Sequence, residues 1–125
     1  MTTIAGVRAV SIPVTDQDRA LEFYVDTLGF TKLRDTSTPG GGRWIELSPG
    51  GGTAVITLEP AEGHPARKGI LVRFTTPDAE QAHASLHAAG VDIDDILRWP
   101  GTPAMFAFRD PDGNALSLTE TSTPA

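Results

Sequence analysis

An internal repeat places the strongest restriction on the fold, because the same order of elements, β-α-β-β-β, is predicted in each half of the chain. In the first half, the apolar run 7–14 is typical of a strand, and Thr15-Asp16 offers side-chain oxygens that can cap a following helix. Gly29 ends this helix, whose inner stripe has the spacing i, i+3, i+4, i+7: Leu21, Tyr24, Val25 and Leu28. Three short strands, 30–34, 43–47 and 54–58, follow, and two Pro-Gly-Gly-Gly turns separate them.

The second half repeats this order after a linker, 60–68, that is rich in proline and polar residues. Residues 70–75 are predicted as a strand, Thr76 as the cap of a helix that begins at Pro77, and Gly90 as the end of that helix. Three further strands are predicted at 91–99, 104–108 and 115–119, with the turn Asp110-Pro111-Asp112-Gly113-Asn114 before the last. We therefore expect an α+β fold in one domain, 1–125, with module one at 4–59 and module two at 69–120.

Composition narrows the classes of function. The 125 residues include no cysteine, which excludes disulfides, thiolate zinc sites and a cysteine nucleophile. Ten Lys and Arg against sixteen Asp and Glu give a net charge of −6, which disfavours nucleic acid and anionic membranes as partners. The sequence contains no apolar run long enough to span a membrane and no signal-peptide profile, so we expect a cytoplasmic protein.

Three stretches carry a family resemblance: 10–16 leading into 19–24 and 28–30, then Leu86 with Ala89-Gly90-Val91, then 108–114. Their order around the repeat resembles the vicinal oxygen chelate (VOC) superfamily, which includes glyoxalases, bleomycin resistance proteins and extradiol dioxygenases. The resemblance covers about residues 4–120. It implies the glyoxalase/bleomycin resistance fold, in which two tandem βαβββ modules form a cup-shaped mixed sheet, and it implies a homodimer.

The resemblance also identifies where a metal would be bound. Metal-dependent members of the superfamily ligate a divalent ion through the first and last strands of each module, and the matching positions here are Ala9, Thr57, Leu71 and Ser117. Two of these residues have no donor atom, and neutral hydroxyls do not replace carboxylate and imidazole ligands. A shifted alignment offers single ligands, Glu46, Glu59 or Glu120, but no histidine on either first strand. We therefore expect no metal and no other cofactor.

The three histidines do not supply a metal site either. His83 and His87 have the i, i+4 spacing of helical zinc ligands, but Ala84 follows His83 where the metalloprotease motif has glutamate. The helical phase places both on the flank or the solvent side of their helix. His64 lies in the predicted linker and is interpreted as an exposed loop residue.

Alternation along the strands predicts which side chains line the cup. If Ala9 and Thr57 point inward, the same alternation turns inward Ser11, Leu71, Arg73 and Ser117. Trp44 and Glu46 also line the cup if Ile45 and Leu47, which point to the opposite face, belong to the core. Phe108 is the expected core residue of strand 104–108. The candidate ligand-binding residues are therefore Arg73, Trp44, Glu46, Ser11, Thr57, Leu71, Ser117 and Trp99.

These candidates differ in what they offer a ligand. Arg73 can hold a carboxylate or phosphate bidentately, or can form an ion pair with Glu46 or another acidic residue. Trp44 and Trp99 can stack on a flat ligand, although aromatic residues on strands are also common in cores and dimer contacts.

Two hypotheses follow from these residues. The first is a metal-independent protein that binds a small organic molecule in the cup between the modules; the net charge of −6 slightly favours a cationic ligand. The alternative is a glyoxalase- or dioxygenase-type lyase or oxidoreductase with a non-standard metal or acid-base site, in which Glu46, with a raised pKa, is the candidate general base. A regulatory or interaction domain is a third possibility.

Overall fold

Each half of the chain forms a four-stranded mixed sheet, as the repeat predicts. The computed structural model describes residues 2–50, 54–62 and 69–121. The chain divides into two compact units on either side of segment 63–68. His64, most of the predicted linker and the end of the second Pro-Gly-Gly-Gly turn lie outside the described residues. The two modules are therefore described separately, and the cup-shaped arrangement and the single domain stay predictions.

Module one contains four strands and one helical segment. They are β1 (Ala9–Val14), α1 (Gln17–Leu21), which continues directly as a π-helical segment (Glu22–Thr27), β2 (Thr31–Ser37), β3 (Arg43–Ser48) and β4 (Val55–Pro60). The sheet has the order β1-β4-β3-β2, with β1 parallel to β4 and the other neighbours antiparallel.

Module two repeats this topology. Its elements are β5 (Val72–Thr76), α2 (Ala79–Ala88), β6 (Asp92–Ile93), β7 (Met105–Arg109) and β8 (Ala115–Glu120). The order β5-β8-β7-β6 again has its first and last strands parallel and adjacent. The predicted α+β class and the two βαβββ modules are confirmed.

The core of each module lies on the face of its sheet that the helix covers. In module one this face buries alternate strand residues, Ile12, Val14, Ile45, Leu47, Ile56 and Leu58, together with Tyr24 of the helical segment. In module two, Phe106, Phe108 and Leu116 are buried with Leu86 of α2, so both phenylalanines of β7 belong to the core. The strand alternation expected from the sequence is therefore confirmed, and the opposite face of each sheet is called the helix-free face below.

An aspartate caps the N-terminus of the helix in each module. Asp16 accepts hydrogen bonds from the backbone N–H groups of Asp18 and Arg19, as expected. In module two the cap is Asp78, which accepts from the N–H of Gln81, so the prediction that Thr76 caps a helix beginning at Pro77 is wrong. The hydroxyl of Thr76 instead accepts from the backbone N–H of Asp78, in the turn that precedes the helix.

Two further expectations from the sequence are corrected. The strand predicted at 91–99 is reduced to β6 and one isolated bridge between Leu97 and Met105, because aspartate is disfavoured in strands and Asp94 is bonded to Arg109. In module one the π-helical segment shifts the buried stripe, since Phe23 and Tyr24 are both buried while the predicted stripe residue Leu28 is half-buried. Neither helix of the described residues is long and apolar enough to cross a membrane.

A side chain from α1 bridges two strands of module one. Strands β3 and β4 pair over two residues each, at the end that contains Leu47 and Ile56, although both strands extend further. The side-chain amide of Gln17 donates to the carbonyl oxygens of Arg43 (2.8 Å) and Leu58 (2.9 Å) in that extension. A glutamine thus satisfies two backbone acceptors, one on each strand, beyond the paired residues.

We expect Gln17→Ala to destabilise the protein by about 1–3 kcal/mol, because it removes two hydrogen bonds that each contribute about 0.5–1.5 kcal/mol. Urea unfolding measures this as a lower midpoint at an unchanged slope. Gln81→Ala, at an exposed position of α2, is the matched control and should change the free energy of unfolding by less than about 0.5 kcal/mol. Equal losses in the two variants would contradict the bridging role.

Candidate functional site

Polar side chains form a row across the helix-free face of module one. The register of the sheet places Ser11 opposite Thr57, Thr57 opposite Glu46, and Glu46 opposite Arg34. The hydroxyl oxygens of Ser11 and Thr57 are 2.8 Å apart, and either can be the donor. Three of the predicted binding residues are therefore adjacent, although they come from three strands.

Glu46 is the centre of this row. Its side chain is buried, and one carboxylate oxygen accepts hydrogen bonds from the indole N–H of Trp44 (3.0 Å) and from the guanidinium of Arg8 (3.1 Å). The Trp44 bond, followed by the bond and charge of Arg8 and the charge of Arg34, lowers the pKa of Glu46, although burial acts in the opposite direction. The expected raised pKa is therefore wrong, because the neighbouring donors outweigh desolvation.

Trp44 is held by this contact and is still accessible. The residue is 44% exposed although its N–H is bonded to Glu46. A pocket of about 260 Å³ lies beside it, and the lining includes the hydroxyl residues Ser11, Thr38 and Thr57 together with Glu59. This volume is slightly smaller than the range of about 300–1,000 Å³ typical of ligand pockets, so the pocket suits one ring or substituent of a larger molecule.

The candidate binding residues of module two differ from one another in burial and in hydrogen bonding. Arg73 is exposed on β5, opposite Ser117 of β8 on the helix-free face, and the described part of module two gives it no ion pair or hydrogen bond. Ser117 is buried, and its hydroxyl has no hydrogen-bond partner in the part of the chain that the structure describes. Leu71 is half-buried just before β5, where its N–H donates to the carbonyl of Ala115.

Trp99 does not lie on a strand. It is 58% exposed in the segment between β6 and β7, and its carbonyl accepts from the backbone N–H and the hydroxyl of Thr102. Because the strand predicted at 91–99 ends at Ile93, the alternation that was used for the other candidates does not apply to Trp99.

The four positions matching the superfamily's metal ligands do not fit a metal ion. Ala9 and Leu71 have no side-chain donor, and Thr57 already shares a hydrogen bond with Ser11. Ser117 stands opposite Arg73, whose positive charge would repel a cation. In the three described stretches, no three His, Asp or Glu residues come together in a group that could hold a metal.

Two of the glutamates and one of the histidines considered as substitute ligands have other contacts. Glu46 is bonded to Trp44 and Arg8, and Glu120 accepts a hydrogen bond from the backbone N–H of Ala79 at the start of α2. His83 lies edge-on against Phe106, with its Nε2 2.9 Å from the carbonyl oxygen of Asp94. His87 is exposed, as its helical phase predicts.

Sequence reasoning missed two residues that organise module one, Arg8 and Gln17. Arg8 precedes β1 and its side chain is 71% exposed, so no burial pattern distinguishes it from other surface arginines. The sequence contains one signal that could have identified Gln17, which is that a polar residue occupies the first turn of a helix that covers a sheet. Its two acceptors, however, follow from tertiary structure alone.

Comparisons with known proteins give a consistent family assignment. The sequence model of the Glyoxalase/Bleomycin resistance protein/Dioxygenase superfamily matches residues 6–118. YurT of Bacillus subtilis (strain 168), named as an uncharacterized protein, is 35% identical over 123 residues, covering 88% of this chain and 94% of YurT.

Two solved structures are similar over nearly their whole length. TnmS3, described as an antibiotic binding protein from Streptomyces sp. CB03234, has a TM-score of 0.83 and 32% identity, covering 98% of this chain and 100% of TnmS3. A protein of the same superfamily from Sphaerobacter thermophilus DSM 20745 also has a TM-score of 0.83 and 32% identity, covering 94% of this chain and 98% of that protein.

The environment of Glu46 predicts a pH-dependent signal. In a Trp99→Phe background, the fluorescence of Trp44 should change in a transition centred below pH 4.5, the ordinary pKa of the carboxyl, because protonation removes the charged acceptor of the indole N–H. The carboxylate stabilises the fold above the unfolded-state pKa, and this contribution is lost as the pH falls through the lower folded-state pKa. Glu46→Gln should abolish the transition, and a midpoint above pH 4.5 would contradict this assignment.

Proposed function

The chain belongs to the glyoxalase/bleomycin resistance protein/dioxygenase superfamily, and on this premise we propose that it is a metal-independent protein that binds a small organic molecule. The ligand contacts the helix-free face of module one, at the pocket beside Trp44. The observation that carries the proposal is an exposed indole whose N–H is fixed by a buried carboxylate at the edge of a cavity. The antibiotic-binding description of TnmS3 supports the same class of activity for this chain.

Trp44 supplies the main contact in this proposal. A tryptophan whose polar atom is already bonded presents its ring without a further demand for a hydrogen bond, and aromatic pairs contribute about 0.5–1.5 kcal/mol beyond the area that they bury. The hydroxyls of Ser11 and Thr57 and the carboxylate of Glu59 offer polar contacts around it. The ligand is therefore a molecule with a flat ring and polar substituents.

Metal independence is supported by the chemistry of the side chains at the superfamily's ligand positions. Two of them have no donor atom, and the guanidinium of Arg73 stands opposite Ser117. The acid-base version of the enzyme hypothesis has less support, because Glu46 has a lowered pKa and both of its neighbours, Trp44 and Arg8, are hydrogen-bond donors.

A homodimer is part of the proposal. Several large apolar side chains are exposed in the described residues, among them Ile4, Val7 and Leu33. Association would remove such side chains from water, and closed two-fold dimers are the commonest oligomers. Light scattering coupled to size exclusion measures the mass directly, and a monomer at micromolar concentration would contradict this part.

We expect Trp44→Leu to weaken ligand binding by about threefold to tenfold, because it removes the aromatic contact but keeps an apolar side chain. The measurement is calorimetric titration against a panel of flat aromatic antibiotics and cationic antibiotics. Trp99→Leu is the matched control and should bind as the unmodified protein does, since Trp99 lies outside the pocket lining. If no member of the panel binds more tightly than about 1 mM, or if both variants lose affinity equally, the proposal fails.

A second expectation concerns metal content. Protein purified without added metal should contain far less than one equivalent of zinc, nickel, manganese or iron by elemental analysis, because three or more convergent donors are normally needed to hold such ions. Treatment with a chelator should leave the ligand titration unchanged. A stoichiometric ion, or loss of ligand binding on chelation, would contradict metal independence and favour the enzyme alternative.

A further inference from the structure

The helix-free face of module two contains a second polar row, different in charge from that of module one. Register places Arg73 of β5 opposite Ser117 of β8, and Ser117 opposite Ala107 of β7. Residues directly opposite one another in a sheet share a face and have neighbouring Cβ atoms. A guanidinium, a hydroxyl and a methyl group are therefore adjacent on three neighbouring strands.

Ser117 is unusual within this row because its hydroxyl has no partner. The residue is 2% exposed, and its Oγ is the buried side-chain polar atom for which the described residues provide no hydrogen bond. Buried hydroxyls nearly always have a partner, so an unsatisfied one requires an explanation. Serine has a single side-chain torsion with three staggered positions, and a change of rotamer re-aims the hydroxyl.

Arg73 also has no hydrogen-bond or ion-pair partner among the described residues. Of the other described arginines only Arg34 shares this, and Arg34 stands opposite the carboxylate of Glu46. Arg8, Arg43, Arg98 and Arg109 each donate to a carboxylate, whereas the described residues give Arg73 neither an ion pair nor a hydrogen bond. A guanidinium has five N–H donors in a planar fork that matches a carboxylate bidentately. A guanidinium to which the described residues give no partner, next to a hydroxyl in the same condition, leaves several donors free for one acceptor.

We propose that Arg73 and Ser117 form a binding site for the carboxylate group of a small organic acid on the helix-free face of module two. The guanidinium holds the carboxylate through two parallel hydrogen bonds, and the hydroxyl of Ser117 donates a third. Ala107 and Met105, which share this face, lie beside the apolar part of the acid. This site is separate from the pocket of module one. It favours an anionic group, whereas the carboxylate of Glu59 in that pocket favours a cationic one.

Benzoate is a suitable probe, because it combines a carboxylate with a compact apolar ring. Binding is measured by two-dimensional amide NMR, with shifts expected at the residues of β5 and β8, and a dissociation constant of about 1 mM or tighter is expected. Benzamide and benzylamine have the same ring without the negative charge and should bind at least about tenfold more weakly, since charge-assisted hydrogen bonds are the stronger class.

Variants separate a binding role from a structural one. Arg73→Met should weaken benzoate binding by about tenfold or more, and Arg73→Lys by less, because lysine keeps the charge but loses the fork. Ser117→Ala should weaken binding by about threefold to tenfold while leaving the unfolding midpoint unchanged or higher, because it removes an unsatisfied buried hydroxyl. Arg98→Met removes the same charge from a residue already paired with Glu80 and should bind benzoate normally.

Several outcomes would overturn the site. If benzamide binds as tightly as benzoate does, the site does not recognise a carboxylate. The same conclusion follows if inorganic phosphate binds and benzoate does not. If Arg73→Met behaves as Arg98→Met does, or if Ser117→Ala lowers the unfolding midpoint without affecting affinity, the two residues have no role in binding an acid. Failure of the antibiotic panel at Trp44 leaves these results unchanged, so the two proposals are tested separately.

Discussion

Parallel pairing between the first and last strand of each module is the interaction on which the other features of both sheets depend. Strand β1 lies beside β4, and β5 lies beside β8, although a helix and two strands separate them in the sequence. Parallel neighbours cannot be joined by a tight hairpin, so the rest of the module is the connection between them. The pairing brings Ser11 next to Thr57 and Arg73 next to Ser117, which places candidate binding residues from opposite ends of each module side by side.

The two faces of each sheet then acquire different chemistry. The helix-covered faces are apolar and bury aromatic and branched side chains such as Tyr24, Ile45 and Phe106, which supplies the main driving force for folding. The helix-free faces contain polar groups in two different conditions. Glu46 is buried with two donors that offset the cost of desolvation, whereas the hydroxyl of Ser117 is buried and no described residue bonds to it. The satisfied group orients a tryptophan, and the unsatisfied group motivates the proposed acid site.

The chain has the superfamily's scaffold, and the residues that the resemblance matches to the superfamily's metal ligands fit a metal ion poorly. The resemblance matches the positions at which metal-dependent members bind an ion to Ala9, Thr57 and Ser117 on strands and to Leu71, which immediately precedes β5. Glu120, the acidic residue nearest the last of them, is engaged with the start of α2. Fold alone does not determine function, and among the described residues the available contacts are an aromatic ring, hydroxyls and the guanidinium of Arg73. In the proposed function, these groups bind the organic molecule without a metal.

The amino-acid sequence by itself determined the element order, the repeat, the family and the face on which most strand residues lie. These properties follow from local spacing, because side chains alternate along a strand and recur along a helix whatever the partner. Only the tertiary structure decided that Glu46 pairs with Arg8 and Trp44, that Gln17 bridges β3 and β4, that β6 ends at Ile93 and that Trp99 leaves the sheet. Each of those outcomes depends on a contact between residues brought together by strand pairing or by helix packing. A carboxylate's pKa, likewise, depends on which donors surround it in space, so local spacing predicted the face of Glu46 correctly and its pKa shift in the wrong direction.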